Sequence, residues 1–147
     1  MVIDNRPLGI RLNNPGNLRF SENNKWKGQI GSAEGFCQFD TPVNGCRAMM
    51  TLLRNYYAID GLVTLQDIIS KYAPPSENET DVYIDNVSKR MKYSPDAQLD
   101  LSDDQELMLL AKSMTVQEQG PCPGDNPNWY ADATWQEAVG TLSEIGV

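Results

Sequence analysis

The feature that most constrains the fold is the helix start at Thr41-Pro42. Thr41 supplies a side-chain oxygen for the free N–H groups of a first helical turn, and Pro42 fits the first helical position, where its missing N–H costs nothing. Behind it Cys46, Met49, Met50, Leu53, Tyr56 and Tyr57 recur at helical spacing to about Ala58, an apolar stripe that has to be covered. The rest of the chain offers the covering helices. Thr64 and Asp67 form a capping-box-like start to a short helix ending near Tyr72, ahead of Pro74-Pro75. The spacing predicts a third helix from about Glu79 to Met91, burying Ile84, Val87 and Met91. Ser102-Asp103-Asp104-Gln105 matches a capping box and opens a fourth to about Gln119, stopped by Gly120-Pro121. A last helix runs from about Thr134 to Ile145, led by Trp135, Ala138, Val139 and Leu142.

Ahead of Thr41 the pattern changes. Gly9-Ile10-Arg11-Leu12, Asn17-Leu18-Arg19-Phe20 and Phe36-Cys37-Gln38-Phe39 alternate apolar and polar residues and read as small strands, with turns at Asn14-Pro15-Gly16 and Gly31-Ser32. The expected fold is α+β and mainly helical, with a short β-rich lobe over about residues 9–40 and a helical lobe over about 41–147. At 147 residues these form one domain, large enough to bury roughly 68–70% of its unfolded surface. Three cysteines, Cys37, Cys46 and Cys122, lack metal-ligand spacing. They read as small apolar core residues, with a Cys37–Cys46 bridge as the alternative.

Composition excludes whole classes of chemistry. There is no histidine, so a Ser-His-Asp triad, a Cys-His pair, a histidine-bearing zinc site and a histidine base are impossible. Acid–base work falls to carboxylates, lysine, tyrosine or cysteine. No metal or organic cofactor is implied. A net charge of −8 argues against nucleic acid as a partner, because phosphate neutralisation needs excess Lys and Arg. The charge is uneven: residues 1–60 hold seven basic and five acidic groups, and the remainder five and fifteen. Acidic helix starts account for much of that tilt. The N-terminus lacks the pattern of a secretory signal, and no apolar run is long enough to cross a membrane, so the expectation is a protein made soluble in its host cell, without membrane insertion.

One carboxylate sits on an apolar face. Leu107, Leu110, Ala111 and Met114 form the inner row of the fourth helix, and Glu118 continues it. Apolar neighbours and the negative end of the helix dipole both favour its protonated form. A carboxyl kept protonated near neutrality is what a general acid needs to protonate a glycosidic oxygen. The alternative is a frayed helix end, with Glu118 turned to solvent beside Gln117 and Gln119.

Several segments carry a resemblance. Asn13-Asn14-Pro15-Gly16-Asn17-Leu18-Arg19, Trp26-Lys27-Gly28-Gln29 and Gly35-Phe36-Cys37-Gln38-Phe39-Asp40-Thr41-Pro42 are the first. Tyr72-Ala73-Pro74-Pro75-Ser76-Glu77-Asn78-Glu79-Thr80, Tyr83-Ile84 and Glu118-Gln119-Gly120 are the others. Together they resemble a family of small lysozyme-like proteins encoded by bacteriophages and prophages, often described as virion or structural proteins. The match spans residues 9–120. A weaker similarity is to cell-wall N-acetylglucosaminidases and lytic transglycosylases. In the glucosaminidases a helix ending in the catalytic Glu precedes an Asn-Asn segment, an aromatic strand, a long helix and a Tyr-Ala motif. Here the order runs from Asn13-Asn14 through Phe39 and the helix to Tyr57, then Tyr83-Ile84, with the Glu-bearing helix last. Such an order is what circular permutation gives.

The resemblance implies a lysozyme-like fold and a peptidoglycan-cleaving activity, as muramidase, glucosaminidase or lytic transglycosylase, with Glu118 as the acid. Glu34, or the substrate's acetamido group, would stabilise the cationic centre. Glu34 reads otherwise as a solvated turn residue and Asp40 as a helix-start residue. Sugar binding calls for aromatic faces and amides, and Asn14, Asn17, Trp26, Gln29 and Tyr72 suit it. Tyr83 joins them as the match to the glucosaminidase tyrosine. Asn14-Pro15-Gly16-Asn17 reads equally as a turn, Trp26 as cover for a small core, and Glu77-Asn78 as a helix cap. The partners implied are peptidoglycan glycan strands and, given the acidity, other virion proteins or a delivery partner that holds the chain at the wall. The non-enzymatic alternative is a virion component of the same fold. Trp129-Tyr130 with Trp135 offers either a docking surface or a packed C-terminal helix.

Overall fold

A computed structural model describes residues 3–142. Its elements run in the order α1 (Leu8–Arg11), β1 (Gln29–Ala33), β2 (Phe36–Phe39), α2 (Pro42–Ala58), α3 (Leu65–Tyr72), α4 (Thr80–Met91), α5 (Asp104–Gln119) and α6 (Asp132–Gly140). The domain is α+β and mainly helical, with its short β lobe near the N-terminus, as expected.

The helical lobe follows its capping signals. The Thr41 side chain accepts from the Asn44 N–H, with Pro42 at the first position of α2, and Thr64 accepts from the Asp67 N–H at the start of α3. Cys46, Met49, Met50 and Leu53 of α2 are fully buried, while Tyr56 and Tyr57 pack at the margin. Around that stripe lie Leu65, Ile68 and Ile69 of α3, Val87 and Met91 of α4, Leu107, Leu110, Ala111 and Met114 of α5, and Trp135 of α6. Trp135 and the half-buried Tyr130 pack together, ring centroids 6.3 Å apart. That favours the packed-helix reading of this segment over a docking surface.

Four helix details differ from expectation. The cap of α5 is Asp103, which accepts from the Gln105 N–H, while Ser102 turns back to Asp100. A carboxylate one residue later does the same work and also suits the dipole. Ile84 is half-buried, and Tyr83 takes the inner position on α4. Glu77-Asn78 does not cap α4: Glu79 holds that position without a side-chain bond. Asn78 Nδ2 donates instead to the Pro74 carbonyl. Finally, α6 begins at Asp132 and ends at Gly140. The expected extension to Ile145 reaches beyond the described residues.

The β lobe departs further. Gly9-Ile10-Arg11-Leu12 is not a strand, because Leu8–Arg11 closes one helical turn. Four residues cannot separate a period of 2 from one of 3.6. Asn17-Leu18-Arg19-Phe20 forms only a bridge, Arg19 opposite Phe36, along the free edge of β2. Gly31-Ser32 lies inside β1, paired with Gln38 and Cys37, so the hairpin turns at Glu34-Gly35 instead. Both turn residues have positive φ, the left-handed geometry that such tight turns demand. Cys37 and Cys46 are buried free thiols rather than a disulfide. Burial pushes the Cys46 thiol far up.

The two lobes meet where the loop after α1 lies against α2. A Cβ at Gly45 would overlap the Asn13 carbonyl oxygen, so this helix position admits only glycine. Gly45→Ala is therefore expected to destabilise the fold by about 2–4 kcal/mol. Gly31→Ala, whose Cβ would meet Gln38 at an ordinary 3.6 Å, should stay within about 0.5 kcal/mol of the parent. Urea titration of the two variants makes the comparison.

Candidate active site

A cleft of about 480 Å³ separates the lobes, within the range of about 300–1,000 Å³ usual for small-ligand sites. The β lobe contributes Gly16, Asn17, Leu18, Arg19, Asn24, Trp26 and Phe36. The helical lobe contributes Leu52, Tyr56, Lys71, Tyr72, Glu77, Asn78 and, from the end of α5, Glu118.

Glu118 is not at a frayed end. The α5 helix runs intact to Gln119, and Gly120, with φ +76°, turns the chain away. Two donors hold the carboxyl. Asn17 Nδ2 donates to Oε1 at 3.0 Å and the Tyr83 hydroxyl donates to Oε2 at 2.8 Å. Desolvation raises its pKa, with the bonds from Asn17 and Tyr83 and the Arg19 guanidinium pulling the other way. No basic residue lies in the last turn of α5, so nothing within that turn compensates the dipole.

Asn17 also carries structure. It sits at φ +52°, a left-handed conformation that asparagine tolerates better than most residues. Its Oδ1 accepts from Gln119 Nε2 at 2.9 Å. Tyr72 donates its hydroxyl to the Gly16 carbonyl at 2.5 Å, and burial raises its pKa well above the usual tyrosine value. Trp26 lines the cleft and also covers the small core of Leu18, Cys37, Phe39 and Ala48, so it does both.

The remaining sequence candidates go elsewhere. Asn14 is completely buried: its Nδ2 donates to the Leu18 and Cys37 carbonyls at 3.0 and 2.9 Å, and its Oδ1 accepts from the Leu18 N–H. It organises the loop and has no free group for a ligand. Gln29 does not line the cleft; its Oε1 accepts from the Trp26 N–H. Tyr83 is buried as well, so it serves Glu118 and not a sugar face. Glu34 is exposed at the hairpin tip, away from the cleft lining. Asp40 supports the start of α2 by accepting from Asn44 Nδ2 at 2.8 Å.

Sequence reasoning did not assign the cleft roles of Arg19, Phe36, Lys71 and Glu77. Arg19 lies over the Phe36 ring, 5.3 Å from its centroid, and pairs across the cleft with Glu77 at 3.8 Å. Lys71 lies 5.4 Å from the Tyr56 ring centroid and 3.5 Å from Asp60. The contact between Arg19 and Phe36 depends on a strand bridge that no local pattern announces. Among the described residues no three His, Cys, Asp or Glu side chains come together as a metal-ligand cluster. No described helix is long and apolar enough to cross a membrane.

No family model matches the chain. Protein P5 of Pseudoalteromonas phage PM2 is 30% identical over 125 residues, which cover 82% of this chain and 76% of that protein. This chain belongs to the P5 family. Membership joins it to a phage protein by sequence, and the chemistry has to be argued from the cleft.

Removing the charge from Glu118 should stabilise the fold. Its raised pKa means that the folded state holds the proton more tightly than the unfolded chain. That contribution is fully present below the ordinary glutamate range and is lost as pH rises through the raised value. Thermal melts of Glu118→Gln and the parent are expected to coincide closely near pH 4. The variant should melt higher at pH 7, by about 2–4 °C for each kcal/mol of relief at this chain length.

Proposed function

We propose that this P5-family chain cleaves the glycan strands of peptidoglycan, as a lysozyme-like enzyme of phage or prophage origin with Glu118 as general acid. One observation carries the reading: a desolvated carboxyl, raised in pKa and held by two donors, faces a two-lobed cleft edged with aromatic rings and amides. The similarity to lysozyme-like and glucosaminidase motifs adds to it.

In this mechanism the protonated Glu118 donates to the glycosidic oxygen as the C1–O bond breaks. With Glu34 outside the cleft, the cationic C1 is taken up by the substrate's own acetamido oxygen, which forms a cyclic oxazolinium. The Glu118 carboxylate then accepts a proton from an attacking water, giving a reducing end, or from the sugar's own 6-hydroxyl, giving an anhydro end. One carboxyl thus serves as acid and then base. Tyr83 and Asn17 hold it in line, and Trp26, Tyr56, Tyr72, Asn24 and Asn78 offer stacking faces and amides to the sugars. At −8 the chain gains little from steering toward an anionic wall, so attachment to a virion or delivery partner supplies the local concentration.

A binding-only role, as a virion protein that grips glycan or another virion component, is favoured by one fact. The other carboxylate of the described cleft lining, Glu77, is already paired with Arg19.

Digestion of purified peptidoglycan decides between them. The parent should release muropeptides, detected by mass spectrometry, and Glu118→Gln should be slower by about 10²–10⁴-fold. Activity should fall as pH rises through the Glu118 pKa, because the acid must begin protonated. Silence of the parent on several wall types from acidic to neutral pH, or equal rates for the two proteins, would sink the enzymatic reading.

A further inference from the structure

We infer that Gln119 is a positioning residue that sets which end of the Asn17 amide meets Glu118. Gln119 is buried at the end of α5, and its Nε2 lies 2.9 Å from the Pro15 carbonyl oxygen and 3.4 Å from that of Asn14. A carbonyl oxygen only accepts, so this end of the Gln119 amide must be the NH2 group. The same nitrogen is 2.9 Å from Asn17. Asn17 must present its oxygen there, because an amino group has no acceptor and two of them at this distance would point hydrogens at each other. With Oδ1 committed to Gln119, Asn17 Nδ2 is left to face Glu118, at 3.0 Å from Oε1 and 3.4 Å from the main-chain oxygen.

The backbone enforces the sequence of contacts. A Cβ on Gly9 would overlap both Gln119 Nε2 and Asn17 Oδ1, so α1 packs directly against both amides. Two fixed carbonyls orient Gln119, Gln119 orients Asn17, and Asn17 donates to the Glu118 carboxyl.

The consequence for catalysis rests on Glu118 being the acid, but the test does not. In the full chain with ¹³C-labelled glutamate, the Glu118 carboxyl is followed by NMR against pH, its signal assigned by its loss in Glu118→Gln. Two variants bracket the effect. Asn17→Gly removes the amide and keeps the left-handed backbone, which gives the Glu118 midpoint without its donor. Gln119→Met removes the orienting NH2 at similar volume. Arg19, Tyr56, Lys71, Tyr72, Glu77 and Tyr83, the other charged or titratable groups of the cleft or in contact with Glu118, are unchanged in both.

The expected result is that the Glu118 midpoint in Gln119→Met moves up from the parent toward that of Asn17→Gly, and that the Asn17 NH2 signals cease to follow it. A lowered melting temperature with the parent's Glu118 midpoint would overturn the inference and leave Gln119 as a tie between lobes. Should Gln119→Met fail to fold, the parent alone decides. Its Asn17 NH2 signals must shift with the Glu118 midpoint, and indifference to that midpoint overturns the inference. A moved midpoint in a chain that digests no peptidoglycan would uphold the positioning role and refute the proposed function separately.

Discussion

The structure depends on the seating of one loop, Asn13 to Asn17, against the C-terminal end of α5. The last carbonyls of a helix need donors, and here the loop's Asn17 amide reaches the Glu118 main-chain oxygen while Trp129 Nε1 covers Gly120 at 2.8 Å. In return Gln119 donates to Pro15, and Tyr72 of α3 donates to Gly16. The lobes are thereby fixed on both sides of the cleft. Close approach is possible because glycine stands at positions 9, 16 and 45, where a Cβ would collide with the opposing side. The same seating buries Asn14 as the loop's internal fastener and leaves the Glu118 carboxyl facing the groove.

That placement sets two demands against each other. Hydrogen bonds from Asn17 and Tyr83 favour a charged carboxylate, while burial and the helix end disfavour it, and burial prevails. A side chain under this tension is costly to the fold at neutral pH and useful to chemistry that hands over a proton. The described cleft lining offers no second carboxyl of the same character, because Glu77 is half-exposed and paired with Arg19. Under the proposed function, catalysis at this cleft therefore runs through one acid, with the second role left to the substrate.

How much of this was legible in the sequence varied with the range of the interaction. Helix starts at Thr41 and Thr64 are written in adjacent residues, and the structure follows them. The inward position of Glu118 was legible from the row Leu107, Leu110, Ala111, Met114. The β lobe was not, because Gly9–Leu12 is too short to declare its period and its geometry is set by bonds to distant carbonyls. Site residues failed for a related reason. Asn14, Gln29 and Tyr83 are the right chemical types for a sugar groove, yet each is committed to an internal partner. The tertiary fold alone brings Glu118 near Tyr83 and the Cys37 carbonyl near Asn14, whose other partner, Leu18, is four residues away. Arg19 and Glu77, far apart in the chain, form a pair that no spacing rule reaches.

Whether the interlobe cleft presents a glycosidic oxygen to Glu118 is tested most directly by a crystal structure of Glu118→Gln with an uncut peptidoglycan glycan fragment. The expected result is a glycan spanning Trp26 and Tyr72, with a glycosidic oxygen about 2.6–3.2 Å from the amide that replaces the Glu118 carboxyl. A glycan seated elsewhere, or one crossing the cleft with no glycosidic oxygen within reach of that side chain, would contradict it.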